Sequence, residues 1–143
     1  MSEFDEIEAL ARTYAEAVLA KDPVRLSALY EADIRVFDTW GRKPFDGLGA
    51  WRANLDNWLN SLRDDDSVQV SFNNVQISSR EAMGCLHALV TYAALNRTGE
   101  TVRSMQNRLS WVVARSASGW TIIHEHTSVP IGPDLKGMLQ LES

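Results

Sequence analysis

Residues 108–128 read RLSWVVARSASGWTIIHEHTS, and this stretch has the pattern of a β-hairpin. Turn-forming residues occupy positions 115–119, and β-branched and aromatic residues lie on both sides of them. Two long strands joined by so short a turn pair antiparallel. We therefore predict that this hairpin forms the centre of a sheet against which the rest of the chain packs.

Polar side chains are interspersed with apolar ones along both predicted strands. Because side chains alternate between the two faces of a sheet, Arg108 and Ser110 share one face of the first strand with Val112 and Ala114. On the second strand, one face is shared by Trp120, Ile122, His124, His126 and Ser128. Polar groups on central strands indicate either a polar pocket or a rim or interface, and we favour the pocket.

Composition limits the class of protein. The chain has 143 residues, of which 45% are hydrophobic and 23% are charged, as in a single globular domain of ordinary size. A net charge of −5 argues against a nucleic-acid partner. No apolar run is long enough to span a membrane, and the acidic N-terminus lacks a signal-peptide layout. Because Cys85 is the only cysteine, no internal disulfide can form, and we expect a cytoplasmic protein.

The first half of the chain has helical spacing. Ser2 and Asp5 have the pattern of a capping box, and Asp22-Pro23 is an N-cap followed by proline at the first helical position. We predict helices over residues 3–21, 22–32 and 48–62, a strand over 34–38 and a loop over 39–49.

The second half has strand texture with short turns. The predicted strands are 68–77, 83–95, 102–114 and 120–129, which form an antiparallel meander. Three helices followed by such a sheet predict an α+β roll, with the helices on the concave face of a curved, mostly antiparallel sheet. We expect one domain over 1–130 and a loose tail over 131–143.

This order of elements resembles the nuclear-transport-factor-two-like superfamily, and within it the SnoaL-like and ketosteroid-isomerase-like families. The resemblance rests on TYAEAVLAKDPVRLSALYEADIRVFD (13–38), FDGLGAWRANLDNWL (45–59) and NRLSWVVARSASGWTIIHEHTS (107–128). The last two segments are also similar to the association domain of calcium/calmodulin-dependent protein kinase. The resemblance implies a cone-shaped fold with a deep pocket between helices and sheet, and a homodimer packed through the outer face. It does not fix the chemistry, because this fold hosts many functions.

The resemblance also implies two catalytic positions. Tyr14 and Asp38 fall where ketosteroid isomerases carry a tyrosine and an aspartate. There a carboxylate takes a proton next to a carbonyl, while O–H donors stabilise the enolate oxygen. The family's second donor is an aspartic acid, whereas this chain reads Gln106, Asn107 and Arg108, so steroid isomerisation is not expected. The alternatives are a core tyrosine and a turn-capping carboxylate.

Candidate ligand contacts come from the kinase association domain as well. Arg108 aligns with its pocket arginine and would bind a carboxylate or another anion, unless Asp56 or Glu16 pairs with it. Trp51 aligns with a pocket position, with Leu55 one turn further along the same helix. Trp40 and Trp51 flank the predicted loop and would form apolar walls, unless they only pack in the core.

The two histidines of the last strand complete the candidate site. His124 and His126 are spaced as in some metal sites on β-strands, but zinc or iron would need a third ligand. His87 lies on another strand. We therefore expect no metal, and interpret His126 as a proton donor in the pocket. Glu125 should face the other way, towards a dimer interface.

These observations predict a small-molecule-binding protein that catalyses cofactor-independent acid–base chemistry, such as isomerisation, dehydration or cyclisation. Asp38 would be the base, Tyr14 and His126 the donors, and Arg108 the anchor for a carboxylate of the substrate. The alternatives are a binding module without catalysis and an oligomerisation domain. We also expect a homodimer, because the strands over 83–129 read as apolar on both faces and helices can cover only one.

Overall fold

The computed structural model describes residues 2–142 as three helices and six strands. The helices are α1 (Glu3–Leu19), α2 (Pro23–Ser27) and α3 (Leu48–Asn60). The strands are β1 (Tyr30–Phe37), β2 (Phe45–Asp46), β3 (Ser67–Arg80), β4 (Met83–Leu95), β5 (Thr101–Ser116) and β6 (Gly119–Ser128). None of the helices in this part of the chain is long and apolar enough to cross a lipid bilayer.

Both predicted helix starts are confirmed by hydrogen bonds. The Asp5 backbone N–H donates to Ser2 Oγ at 3.1 Å, and the Ser2 N–H donates to Asp5 Oδ2 at 3.3 Å. The Arg25 N–H donates to Asp22 Oδ1 at 3.0 Å. Helix α2 ends five residues earlier than predicted, because the chain from Tyr30 onward pairs with β6 as a strand.

The sheet has the strand order β2-β1-β6-β5-β4-β3. Strands β3 to β6 form the predicted antiparallel meander, and β1 adds to β6 in parallel. The predicted loop over 39–49 contains the short strand β2, which pairs with β1. The helices pack on one face of this curved sheet, which we call the inner face, and the fold class is the predicted α+β class.

A β-bulge in β6 reverses part of the predicted face assignment. Val113 lies opposite Ile122, whereas Val112 lies opposite His124, so Ile123 is an extra residue in the ladder. Ile122 is buried on the inner face, and so are Glu125 and Thr127 beyond the bulge. The prediction that His124 and His126 share a face with Ile122 is therefore wrong: both histidines lie on the outer face. The prediction that Glu125 faces outward is wrong for the same reason.

The orientation of β5 also differs from our expectation. Its buried residues include Asn107 and Leu109, whereas Arg108 and Ser110 are exposed on the outer face. Arg108 and Ser110 do share a face, but that face points away from the helices. Arg108 therefore cannot reach the interior, and the prediction that it lines an inner pocket is wrong.

The outer face is less apolar than the sequence suggested. Strand pairing places Gln76, His87, Ser110 and His126 in one row across β3 to β6. The C-terminal segment is also more ordered than predicted. Ile131 and Gly137 form a β-bridge, and the Met138 N–H donates to the Pro130 carbonyl at 2.8 Å.

Candidate functional site

Six polar side chains meet between the helices and the inner face of the sheet. We call them the interior polar cluster: Tyr14, Asp38, Thr39, Tyr92, Asn107 and Thr127. They come from α1, from the end of β1, and from β4, β5 and β6. The rest of this interior is apolar, so the cluster is a local exception in the core.

Asp38 follows the last residue of β1, where the chain leaves the sheet. Its Oδ2 accepts the Trp40 backbone N–H at 3.1 Å, and its Oδ1 accepts the Thr127 hydroxyl at 3.4 Å. Burial raises the pKa of Asp38, and these two hydrogen bonds offset part of the rise. A partly exposed carboxylate with a raised pKa suits a proton acceptor.

Thr39 and Thr127 link Asp38 to Asn107. Thr127 Oγ1 accepts both the Thr39 backbone N–H, at 2.8 Å, and the Thr39 hydroxyl, at 2.9 Å. The Asn107 amide Nδ2 lies 3.5 Å from Thr39 Oγ1. Asp38 and Thr39 are partly exposed, so the cluster reaches solvent at this end.

Tyr14, which is buried, and Tyr92, which is half-buried, form the end of the cluster beneath α1. Their hydroxyl oxygens are 3.3 Å apart, and the Tyr14 ring packs against the rings of Phe72 and Trp111. Burial raises the pKa of both tyrosines well above the ordinary value. Both hydroxyls therefore stay protonated and are available as hydrogen-bond donors.

Two buried polar atoms have no hydrogen-bond partner within residues 2–142. They are Oδ1 of Asn107, a residue that is 4% exposed, and Nε1 of Trp51, which is 2% exposed. A buried polar group without a partner costs about 1–3 kcal/mol. The Trp51 N–H lies beside the Tyr30 hydroxyl, where it helps to lower the pKa of Tyr30, so Asn107 Oδ1 is the acceptor left to bind a ligand or a water molecule.

Glu125 is a second buried carboxyl group, although strand alternation predicts that its side chain faces outward. It is 2% exposed, and its Oε1 accepts the Tyr30 hydroxyl at 2.6 Å and the Trp111 indole N–H at 2.8 Å. Burial raises its pKa to about 7, against the effect of these two donors. One signal pointed to it, since Glu125 is the only acidic residue within β3, β4, β5 and β6.

The structure does not bring all of the predicted site residues together in one place. Four of these residues border the interior: Tyr14, Asp38, Trp51 and Leu55. Trp40, in contrast, is 68% exposed on the loop after Asp38. On the outer face, the rings of His124 and His126 pack against the Phe37 ring, at centroid distances of 5.3 and 5.4 Å. No three metal-ligating side chains cluster between residues 2 and 142.

The SnoaL-like domain family model matches residues 7–132, which is most of the chain. The protein belongs to this family. None of the curated proteins matches the sequence. An NTF2-like protein of unknown function from Pseudomonas putida KT2440 is 21% identical, with a TM-score of 0.84. The alignment covers 100% of this chain and 99% of that one.

Two further solved structures show how varied proteins of this fold are. A candidate calcium/calmodulin-dependent protein kinase II association domain from Xanthomonas campestris is 18% identical with a TM-score of 0.75. The alignment covers 90% of this chain and 88% of that chain. A candidate scytalone dehydratase from Novosphingobium aromaticivorans is 14% identical with a TM-score of 0.73, over 87% and 82% of the two chains. Identities this low show a shared fold alone.

Two surface depressions lie outside the interior of this SnoaL-like domain. One of about 820 Å³ is formed by the loop residues 41–45, and one of about 400 Å³ lies on the outer side of the sheet. Neither depression is lined by a residue of the interior polar cluster. Asp38 and Thr39 are the partly exposed members at the end of β1, so a ligand would approach the cluster from there.

Proposed function

We propose that this SnoaL-like protein binds a small neutral carbonyl compound beside Asp38 and catalyses an acid–base reaction without a cofactor. The reaction would be an isomerisation, a dehydration or a cyclisation. One observation carries the proposal: a carboxylate with a raised pKa lies in a hydrogen-bonded cluster that ends in an unpartnered buried acceptor, Asn107 Oδ1. Burying a carboxylate or an unpartnered polar atom lowers the free energy of unfolding, so a core that served only for stability would not be expected to contain them.

Proton transfer in this proposal begins at Asp38. Its carboxylate would take a proton from the carbon next to the substrate carbonyl. The buried O–H groups of Tyr14 and Tyr92 would donate to the oxygen on which negative charge develops. Both hydroxyls suit this role, because burial keeps them protonated.

The charges of the interior favour a neutral substrate over a carboxylate. The interior contains two carboxyl groups, Asp38 and Glu125, and no lysine, arginine or histidine among the buried residues of the described chain. An anion placed there would be desolvated without a cationic partner, which costs several kcal/mol. Arg108, which we expected to anchor a carboxylate, lies on the other side of the sheet.

Glu125 would be protonated while Asp38 is ionised. Two carboxyl groups whose environments differ can act as acid and base at one pH. Burial raises the pKa of Glu125 to about 7, so it can hold a proton near neutral pH while Asp38 is ionised. Asp38 would return the proton it has taken to another carbon of the substrate in an isomerisation, which restores its carboxylate.

Asp38→Asn tests the proposal. We would screen small enolisable ketones and hydroxyketones, and expect the variant to lose at least 100-fold in kcat on any substrate found, as for a general base. Asp33→Asn, at an exposed position on β1, is the matched control and should retain full activity. Equal turnover in the Asp38→Asn variant and the wild type would exclude Asp38 as the base.

The alternative is a binding module without catalysis, in which the unpartnered Asn107 Oδ1 serves only to bind a ligand. In that case a ketone ligand would change the tryptophan fluorescence of the wild type, because Trp51 lies in the interior, but no compound would turn over. The Asp38→Asn variant would then bind as well as the wild type.

A further inference from the structure

The outer face of the sheet carries a groove of about 400 Å³ beside Arg108. Strand β6 ends at Ser128, opposite Arg108, so the residues of β5 before Arg108 have no strand partner on that side. The C-terminal segment crosses this part of β5 instead. The groove lies between the segment and the sheet, and its lining includes Leu89, Arg108, Pro130, Met138, Leu141 and Glu142.

The C-terminal segment forms one wall of the groove, and hydrogen bonds attach it to β5. The Gln106 backbone N–H donates to the Leu139 carbonyl at 2.7 Å, and the Leu141 N–H donates to Gln106 Oε1 at 2.7 Å. The Gln140 side-chain amide donates to the Ser104 carbonyl at 3.0 Å. The groove is therefore a feature of the fold and does not depend on a loose tail.

Arg108 presents an unpaired guanidinium to the groove. Its Nε donates to Ser128 Oγ at 3.1 Å, which orients the group and leaves both terminal nitrogens available. Arg108 forms no ion pair with an acid in residues 2–142. Strands β3 to β6 cannot supply one on this face, because their only carboxylate, Glu125, points inward.

The walls next to this guanidinium are apolar. Leu89 lies directly across from Arg108 on β4, and Met138 is 43% exposed on the C-terminal segment. A guanidinium fork matches the two oxygens of a carboxylate, and the apolar walls match a hydrocarbon chain or ring. Glu142, also in the lining, weakens the binding of every anion and of a dianion most, so a ligand with a single negative charge fits best.

We propose that this groove binds a small monocarboxylate with an aliphatic or aromatic body. Because side chains of β5 alternate, Asn107 faces the interior polar cluster and Arg108 faces the groove. The site is separate from the one proposed for catalysis, and either can fail without the other.

Hexanoate, with 1-hexanol as its uncharged counterpart, is a suitable probe of the full chain. In an amide NMR titration of the wild type, we expect hexanoate to shift the resonances of Leu89, Arg108, Gln140 and Leu141, and hexanol to leave them nearly unchanged. Arg108→Gln should weaken hexanoate binding at least tenfold, which is the usual size of a charge-assisted hydrogen bond. Arg103→Gln, at an exposed position of the same strand, is the control and should bind like the wild type.

Leu89→Glu provides a second variant. It places a carboxylate directly opposite Arg108, and should abolish hexanoate binding by pairing with the guanidinium. Equal affinity in Arg108→Gln and wild type, or shifts confined to Tyr14, Tyr92 and Trp51, would overturn the proposal. So would the absence of any hexanoate binding by the wild type; a change of molecular mass in Arg108→Gln would then show that a second copy of the chain occupies the groove.

Discussion

The Tyr30 hydroxyl donates a 2.6 Å hydrogen bond to Glu125 Oε1 across the parallel pair of strands β1 and β6. Both residues are almost completely buried, and the Trp111 indole N–H donates to the same oxygen, Oε1, at 2.8 Å. Burial nevertheless raises the pKa of Glu125 to about 7. Desolvation therefore outweighs two good hydrogen-bond donors at this position.

Glu125→Gln should change how stability depends on pH. In the folded protein Glu125 keeps its proton up to about pH 7, whereas the unfolded chain releases it near the ordinary value of 4.5. Its contribution to the free energy of unfolding is therefore fully present below pH 4.5 and is lost as pH rises to 7. The loss amounts to roughly 3 kcal/mol, and the Gln variant should not show it.

Urea unfolding of wild type and variant between pH 4.5 and 8 measures this difference. Glu31→Gln, at an exposed position next to Tyr30, is the control and should follow the wild type. Parallel stability curves for wild type and Glu125→Gln would show that Glu125 does not titrate in this range.

Tyr30→Phe should raise the pKa of Glu125 further. The Tyr30 hydroxyl stabilises the ionised carboxylate, so its removal favours the protonated form. We expect the midpoint for Glu125 in a carbon-13 NMR titration to move above 7, with a loss of stability of about 1–3 kcal/mol at pH 8. In Tyr14→Phe, which removes a hydroxyl bonded to Tyr92 instead, the midpoint should stay near its wild-type value.

Asn107→Leu should stabilise the protein while removing ligand binding in the interior. Leucine is similar in size and leaves no buried acceptor without a partner, so we expect unfolding to cost about 1 kcal/mol more. The Asn73→Leu control changes an exposed asparagine and should have little effect. A less stable Asn107→Leu variant would mean that Oδ1 is already satisfied, for example by a bound water molecule.

We expect two copies of the chain to pack through the outer face of the sheet, over the part around Val112 that the C-terminal segment and the groove beside Arg108 leave free. The helices leave this face uncovered, and β3 to β6 place no carboxylate on it, as is usual near the centre of interfaces. Light scattering at micromolar concentration should give twice the 16.0 kDa protomer mass. Val112→Glu, at a half-buried outer position, should give monomers, whereas Asn57→Glu on α3 should not. A monomer mass for the wild type would contradict the prediction.

Local signals in the sequence located most of the helices and strands and indicated the family, although they missed β2 and the end of α2. Ser2, Asp22 and Pro23 mark helix starts through local hydrogen bonds and a fixed backbone angle, and both starts are observed. The strand pattern and the turn before Gly119 determined the last hairpin and the meander. These signals are local, since each depends on residues a few positions apart.

Which side chains form the candidate site depends on the packing of elements that are distant in sequence. The alternation of side chains along β5 predicts that Arg108 and Ser110 share a face. The packing of the helices determines which of the two faces is covered. In β6, the extra residue Ile123 reverses the faces beyond it, bringing Glu125 inside and His124 outside. Isoleucine fits a strand equally well with or without a bulge, so its local pattern does not show the shift. The bulge is set by pairing with β1 and β5, whose residues are distant in sequence.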